Sequence, residues 1–307
     1  MIEVKQVTRR YGETVAVDNL SFTVRPGIVT GFLGPNGAGK TTTMRMILGL
    51  DRPTSGSVTV SGRSYTDLPA PMHEVGALLD AKAIQGGRTA RQHLRWLSKA
   101  AALPSERVDQ VLEMVGLMDA SDRSVGVFSL GMSQRLGLAA ALLGDPRILI
   151  LDEPVNGLDP EGIRWIRSLL QHLASEGRTI FLSSHLMSEM EETADHIIVI
   201  GRGRLIADAS IADFTRHSAH SHVRVVSPQG AAFAPLLRAA GATVVSEAGA
   251  LLVTGMETPQ IGYIAAEHHI EIHELALRRA SLEDAFMELT EDSVQYHQAE
   301  PKTPAIA

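Results

Sequence analysis

The sequence contains no cysteine, which rules out disulfide staples, thiolate metal sites and cysteine nucleophiles and suits a reducing compartment. Aromatic residues make up only 4% of the chain, so aliphatic side chains must fill its core. No run approaches the roughly 18 uninterrupted apolar residues that a membrane helix needs. The opening segment MIEVKQVTRRYGE has no apolar stretch of the kind that drives secretion. Positive charge is not in excess: the net charge of −7 offers no general attraction to nucleic acid or anionic lipid. No internal repeat is visible, so one functional site per chain is the most that can be expected. These absences predict a cytoplasmic protein that reaches a membrane only through a partner, with no nucleic acid among its partners.

What is present is enough for a real core. With 307 residues, 44% of them hydrophobic, the chain suits one large domain plus a small one. Strand-like runs open it at Ile2–Thr8, Leu20–Val24 and Ile28–Leu33. A helix pattern follows at Thr41–Leu50, then an alternating strand at Ser57–Val60. Helical patterning returns between Thr89 and Leu117, broken at Pro104. The runs Arg147–Leu151, Thr179–Leu182 and His196–Ile200 are apolar throughout, as strands buried on both faces of a parallel sheet are. Their alternation with helices implies an α/β layer joined by crossovers.

The character changes near residue 215. Residues 1–215 read as the large domain and 216–222, which include HSAHSH, as a polar linker. In 223–290 the predicted order is βαββαβ, with strands Val223–Val226, Thr243–Ser246, Leu251–Thr254 and Ile270–Leu277 and helices Ala231–Ala240 and Pro259–His268. That order suits a small α+β ferredoxin-like sandwich. Ser281 and Asp284 have the spacing of a capping box at the start of a last helix. The segment 291–307 is polar and reads as a disordered tail. The histidine groups His217/His220/His222 and His268/His269/His273 read as a solvated linker and a polar sheet face rather than a zinc site.

The stretch Gly34-Pro35-Asn36-Gly37-Ala38-Gly39-Lys40-Thr41-Thr42 follows a strand and opens a helix. It fits G-x-x-x-x-G-K-[ST], a backbone cradle for phosphates. Its glycines let N–H groups turn inward, and the helix start adds the positive end of its dipole. Lys40 supplies a point charge for the β and γ phosphates, and the Thr41 hydroxyl can ligate Mg²⁺. Downstream, the apolar strand ending in Leu151 delivers Asp152 and Glu153 at its carboxyl end, where ligands of open α/β sheets bind. Asp152 suits a metal-side role, and Glu153 can orient or deprotonate an attacking water. The nucleotide expected is ATP with Mg²⁺.

The surroundings of the acidic pair, FSLGMSQRLGLAAALLGDPRILILDEPVNGLDP from Phe128 to Pro160, closely resemble the ATP-binding cassette (ABC) family. The resemblance runs in order from Met1 to about Ala209. It implies a P-loop NTPase domain with an antiparallel β subdomain and a helical subdomain. It also implies that Tyr11 stacks on adenine, and that His185 contacts the γ-phosphate alongside the catalytic Glu153. Asn156-Gly157-Leu158-Asp159 becomes the D-loop. Ser129 and Gly131 stand in the signature, which in the family faces the γ-phosphate held by a second copy, so a homodimer is implied. Two positions depart from the family pattern. Leu130 and Met132 replace a glycine and a glutamine of the signature, and Asp80 stands where a glutamine usually touches Mg²⁺ and the membrane subunit. The first variant, with Ser281-Leu282-Glu283-Asp284-Ala285-Phe286, is similar to ABC-2-type exporter subunits. The resemblance therefore implies an ATPase at the inner face of the cell membrane, bound to a separate permease that exports a drug, antibiotic or lipid-like cargo. The alternative is a non-transport cassette acting on ribosomes or DNA. Such proteins carry paired cassettes, long coiled coils or zinc cysteines, none of which occurs here. Every motif lies before Ala209, so the region from about His222 is expected to be dispensable for the nucleotide chemistry.

Overall fold

Three uniformly apolar runs become the middle of a sheet covered on both sides. The computed structural model describes residues 1–81, 84, 86–216, 221–278 and 280–290. Among these residues the largest sheet has six strands, in the order Val75–Leu78, Ile148–Asp152, Thr179–Ser183, Val29–Leu33, His196–Gly201 and Arg204–Ser210. All neighbours pair in parallel except the last, which closes antiparallel. Both faces are covered, so strands such as Val29–Leu33 and Thr179–Ser183 are buried at every position and show no alternation.

One face of that sheet packs on an antiparallel sheet of Thr14–Val24, Ile2–Tyr11 and Ser55–Val60. Ile2, Val4, Leu20 and Val60 join Met44 and Ile47 of the helix Lys40–Ile47 in that core. Three of the few aromatic residues meet there: Phe32 and Phe181 lie 5.0 Å apart by ring centroid, and Phe22 reaches both. The other face packs on helices, including Ala90–Ala100, Glu106–Met114 and Leu130–Leu142, which contribute Leu94, Val111, Leu112 and Leu136. The first of these starts on a reciprocal cap: Thr89 Oγ1 accepts from Gln92 N–H, and Gln92 Oε1 accepts from Thr89 N–H, each at 3.1 Å.

The second unit is a four-stranded antiparallel sheet in the order Thr243–Glu247, Ala250–Thr254, His222–Val226, Glu274–Arg278. With helices Gly230–Ala239 and Thr258–Glu267 this is the strand order of a ferredoxin-like sandwich. Its core is its own, built on Val223, Val225, Phe233, Leu237, Val253 and Ile261. The last strand starts at Glu274, not at Ile270. Residues 270–273 form the approach to the sheet, where His273 N–H donates to Val226 O at 2.8 Å.

The final helix, Leu282–Thr290, was expected as the last element of the small domain, and it packs elsewhere. Leu282, Ala285 and Phe286 are buried in the helical core of the larger unit. Leu282 N–H donates to Glu191 Oε2 at 3.2 Å on the helix Met187–Thr193. The capping box is present: Ser281 N–H donates to Asp284 Oδ2 and Asp284 N–H to Ser281 Oγ, each at 3.1 Å. The tail 291–307 and the linker histidines His217 and His220 lie outside the described residues.

The chain therefore leaves the large unit, builds the small one and returns. Removing everything after Arg216 would strip three buried side chains from the larger core. Leu282→Ala should weaken the larger unit by about 2–5 kcal/mol, as truncating a buried leucine does. Phe233→Ala should instead loosen the small sandwich. Denaturant unfolding followed separately through the two tryptophans, both in the larger unit, and through a fluorophore placed on Tyr263→Cys in the small one, the chain having no other cysteine, checks this. An unchanged tryptophan transition in Leu282→Ala would count against the packing.

Candidate active site

The phosphate cradle is shaped by close backbone approaches. Val29–Leu33 delivers the chain to Gly34, where a Cβ would run into the Ile200 carbonyl of the adjacent strand. Gly37 and Gly39 hold φ of 79° and 104°, a region open to glycine without strain. At Gly39 a Cβ would also lie 2.6 Å from Ala16 O, so the loop runs close against the Thr14–Val24 strand. The Lys40 side chain is buried and donates from Nζ to Gly34 O at 2.6 Å and Pro35 O at 3.4 Å. Burial holds its ammonium below the usual lysine range, and the nearby charges of Glu153 and Asp152 offset part of that.

The acidic strand tip faces this loop. Asp152 is paired in register with Ser183 of the neighbouring parallel strand. Its Oδ2 accepts from Thr41 Oγ1 at 2.7 Å, and its Oδ1 accepts from Ser183 Oγ. Glu153, one residue on, sits at φ 50°, a left-handed conformation that costs a non-glycine residue about 1–3 kcal/mol and persists only where its surroundings enforce it. Those surroundings can be named. Ser183 Oγ accepts from Glu153 N–H at 3.0 Å, and Glu153 O accepts from Asn156 N–H and Gln134 Nε2, each at 3.2 Å. The carboxylate reaches His185, with Oε2 at 2.7 Å from Nδ1 and 3.4 Å from the backbone N–H.

Between loop and tip lies a cleft of about 280 Å³ lined by Ala16, residues 35–42, Asp152 and Glu153. It has backbone donors at a helix start, one buried cation and two carboxylates. That set can hold a polyphosphate and an oxygen-loving cation and can present a base to water.

The other residues singled out in the sequence stand apart from this cleft. Tyr11 is half exposed, with its hydroxyl donating to Asp51 Oδ2 at 3.1 Å and the Arg9 guanidinium 4.4 Å from its ring centroid. Ser129 caps the helix Leu130–Leu142, accepting from Met132 N–H at 3.2 Å. Gly131 lies where a Cβ would meet Gly157 O at 2.8 Å. Asp159 caps the helix Pro160–Ser175 through Gly162 N–H at 3.0 Å. Asp80 is exposed just past the edge strand Val75–Leu78. Three contributors were not anticipated: Ser183, Gln134 and Ala16. Ser183 could have been found from the apolar run ending beside that of Asp152, and Gln134 from being a polar side chain on a buried helix face.

Two family profiles match the chain: ABC transporter over residues 17–156 and a domain of unknown function, DUF8746, over residues 221–283. The chain is 38% identical over 305 residues to the uncharacterized ABC transporter ATP-binding protein YhcH of Bacillus subtilis, covering 94% of this chain and 96% of that one. It is 44% identical over 211 residues to the bacitracin transport ATP-binding protein BcrA of Bacillus licheniformis, covering 68% of this chain and 69% of the relative. Among solved structures, the dimeric MJ0796, a bacterial ABC transporter cassette, superposes with a TM-score of 0.63 at 26% identity, over 69% of this chain and 99% of that one. Cassettes of this kind dimerise and work with transmembrane permeases. A relative matched along nearly its whole length, on a chain with the fold of the cassette, shows that the protein belongs to the ABC transporter ATP-binding proteins and is an ATPase subunit of such a transporter.

Proposed function

We propose that two copies of this chain close around two ATP molecules and drive a separate permease that exports an antibiotic, drug or lipid-like cargo. The observation that carries the catalytic part is the 2.7 Å contact between Thr41 Oγ1 and Asp152 Oδ2, which joins the phosphate cradle to the acidic strand tip. For the cargo, support comes from relatives named for bacitracin transport, lantibiotic transport and Nod factor export, at 44%, 36% and 40% identity. No helix among the described residues is long and apolar enough to cross a membrane, so in this reading the subunit sits on the inner face through the permease.

The hydroxyl of Thr41 and the carboxylate of Asp152 are hard oxygen donors that fit Mg²⁺, which when bound would offset charge on the phosphates. Residues 34–42 wrap the phosphates, and the Lys40 ammonium moves from the Gly34 and Pro35 carbonyls to the β and γ oxygens. Glu153 accepts the proton of the attacking water. His185 contacts the Glu153 carboxylate through Nδ1 and, as an imidazolium with both ring nitrogens donating, would serve the γ-phosphate through Nε2. Tyr11 stacks on adenine. Ser129 and Gly131, with the Asp159 loop, serve the nucleotide of the second copy. Asp80, exposed beyond the sheet edge, would offer a carboxylate acceptor toward the permease and, once the site closes, toward the metal side of the nucleotide.

Two substitutions separate binding from chemistry. Lys40→Ala removes the cradle's buried cation, and titration with a fluorescent ATP analogue should show binding lost. Unchanged affinity would take Lys40 out of that role. Glu153→Gln keeps the size and the contacts of Lys40 and Thr41 but removes the proton acceptor. Phosphate release should fall by roughly 10²–10⁴, while light scattering should show dimers that require ATP. Hydrolysis at the wild-type rate would remove Glu153 as the base, and loss of hydrolysis without dimers would contradict the shared site.

A further inference from the structure

The signature helix Leu130–Leu142 touches the catalytic tip from behind. Its first turn lies against the loop that follows Glu153: a Cβ on Gly157 would collide with the Leu130 side chain, and one on Gly131 would lie 2.8 Å from Gly157 O. One turn further, Gln134 points inward, 7% exposed. Its Nε2 donates to Glu153 O at 3.2 Å, and its Oε1 is buried with no hydrogen-bond partner among the described residues.

A buried acceptor without a partner is destabilising. An apolar side chain of similar volume would avoid that penalty. It would not orphan the Glu153 carbonyl either, because Asn156 N–H also donates to it at 3.2 Å. Stability alone therefore favours Met or Leu at this position. What the amide contributes is a second anchor on the backbone of a residue held at φ 50°, where relaxation toward the ordinary helical or extended regions would swing the carboxylate away from the cleft.

We infer that Gln134 is a positioning residue for ATP hydrolysis, holding the Glu153 backbone so that its carboxylate faces the phosphates. The inference rests on the reading of Glu153 as the base. It also gives the signature helix two ends of influence: Ser129 at its start toward a second copy, and Gln134 one turn on toward the base of its own chain.

The test uses the full chain carrying Gln134→Met, with Gln134→Leu beside it. The unfolding midpoint should be unchanged or raised, and affinity for a fluorescent ATP analogue unchanged. The maximal rate of phosphate release should fall by about 10- to 100-fold, the scale at which misplacing a catalytic group by an ångström is felt, with KM little altered. Combined with Glu153→Gln, the substitution should leave ATP-dependent dimers intact. A wild-type maximal rate in Gln134→Met overturns the inference, as do lowered midpoints in both variants or loss of the dimers. If Glu153→Gln alone hydrolyses normally, the failure belongs to the assignment of the base.

Discussion

The register between two parallel strands sets the chemistry of this protein. Ile148–Asp152 and Thr179–Ser183 end side by side, with Asp152 opposite Ser183. That pairing lets one hydroxyl serve two neighbours, donating to the Asp152 carboxylate and accepting from the Glu153 N–H. Glu153 can then turn left-handed at the strand tip, and Asp152 reaches Thr41 at the start of the cradle helix. A shift of one residue between the strands would put apolar Leu182 beside Asp152 and leave both groups without Ser183. Burial on both faces opposes such a slip, because every position of Thr179–Ser183 is already packed.

The two cores flanking the sheet have different duties. The core shared with the antiparallel sheet seats the cradle helix through Met44 and Ile47. The helical core seats the signature helix and the helix after His185, and the chain's last helix is packed there too. The small sandwich, with a core of its own, is thus inserted between the cassette and an element that completes it. Glu191 on the helix after His185 accepts from Leu282 N–H, so the start of the helix Leu282–Thr290 is tied to the element that follows the histidine in contact with Glu153.

Much of this is legible in local runs of the sequence. The cradle, the acidic tip and the alternation of strand and helix each lie within a few dozen consecutive residues, and the physics that shapes them is local. The βαββαβ order of the small unit was legible for the same reason. The partners that fix Glu153 were not, because Ser183 and Gln134 come to it from 30 and 19 residues away, and neither carries a spacing that points to the tip. Sequence order groups the helix Leu282–Thr290 with the small unit, whereas its buried face packs on the larger one, because a helical pattern does not say what covers its buried face. Ile270 to His273 read as the start of a strand, but pairing there begins only at Glu274.

In the proposed dimer, the cradle and the acidic tip of one copy form half of a working site, with Ser129 and Gly131 of another copy completing it. Mixing two inactive forms tests that claim directly. Lys40→Ala has a failed cradle and an intact signature, and Ser129→Arg has the reverse. Each should be nearly silent in a phosphate-release assay. An equimolar mixture should regain hydrolysis, because the mixed dimers contain one site in which both halves are sound. A mixture as silent as its components, or a fully active Ser129→Arg alone, would contradict the account.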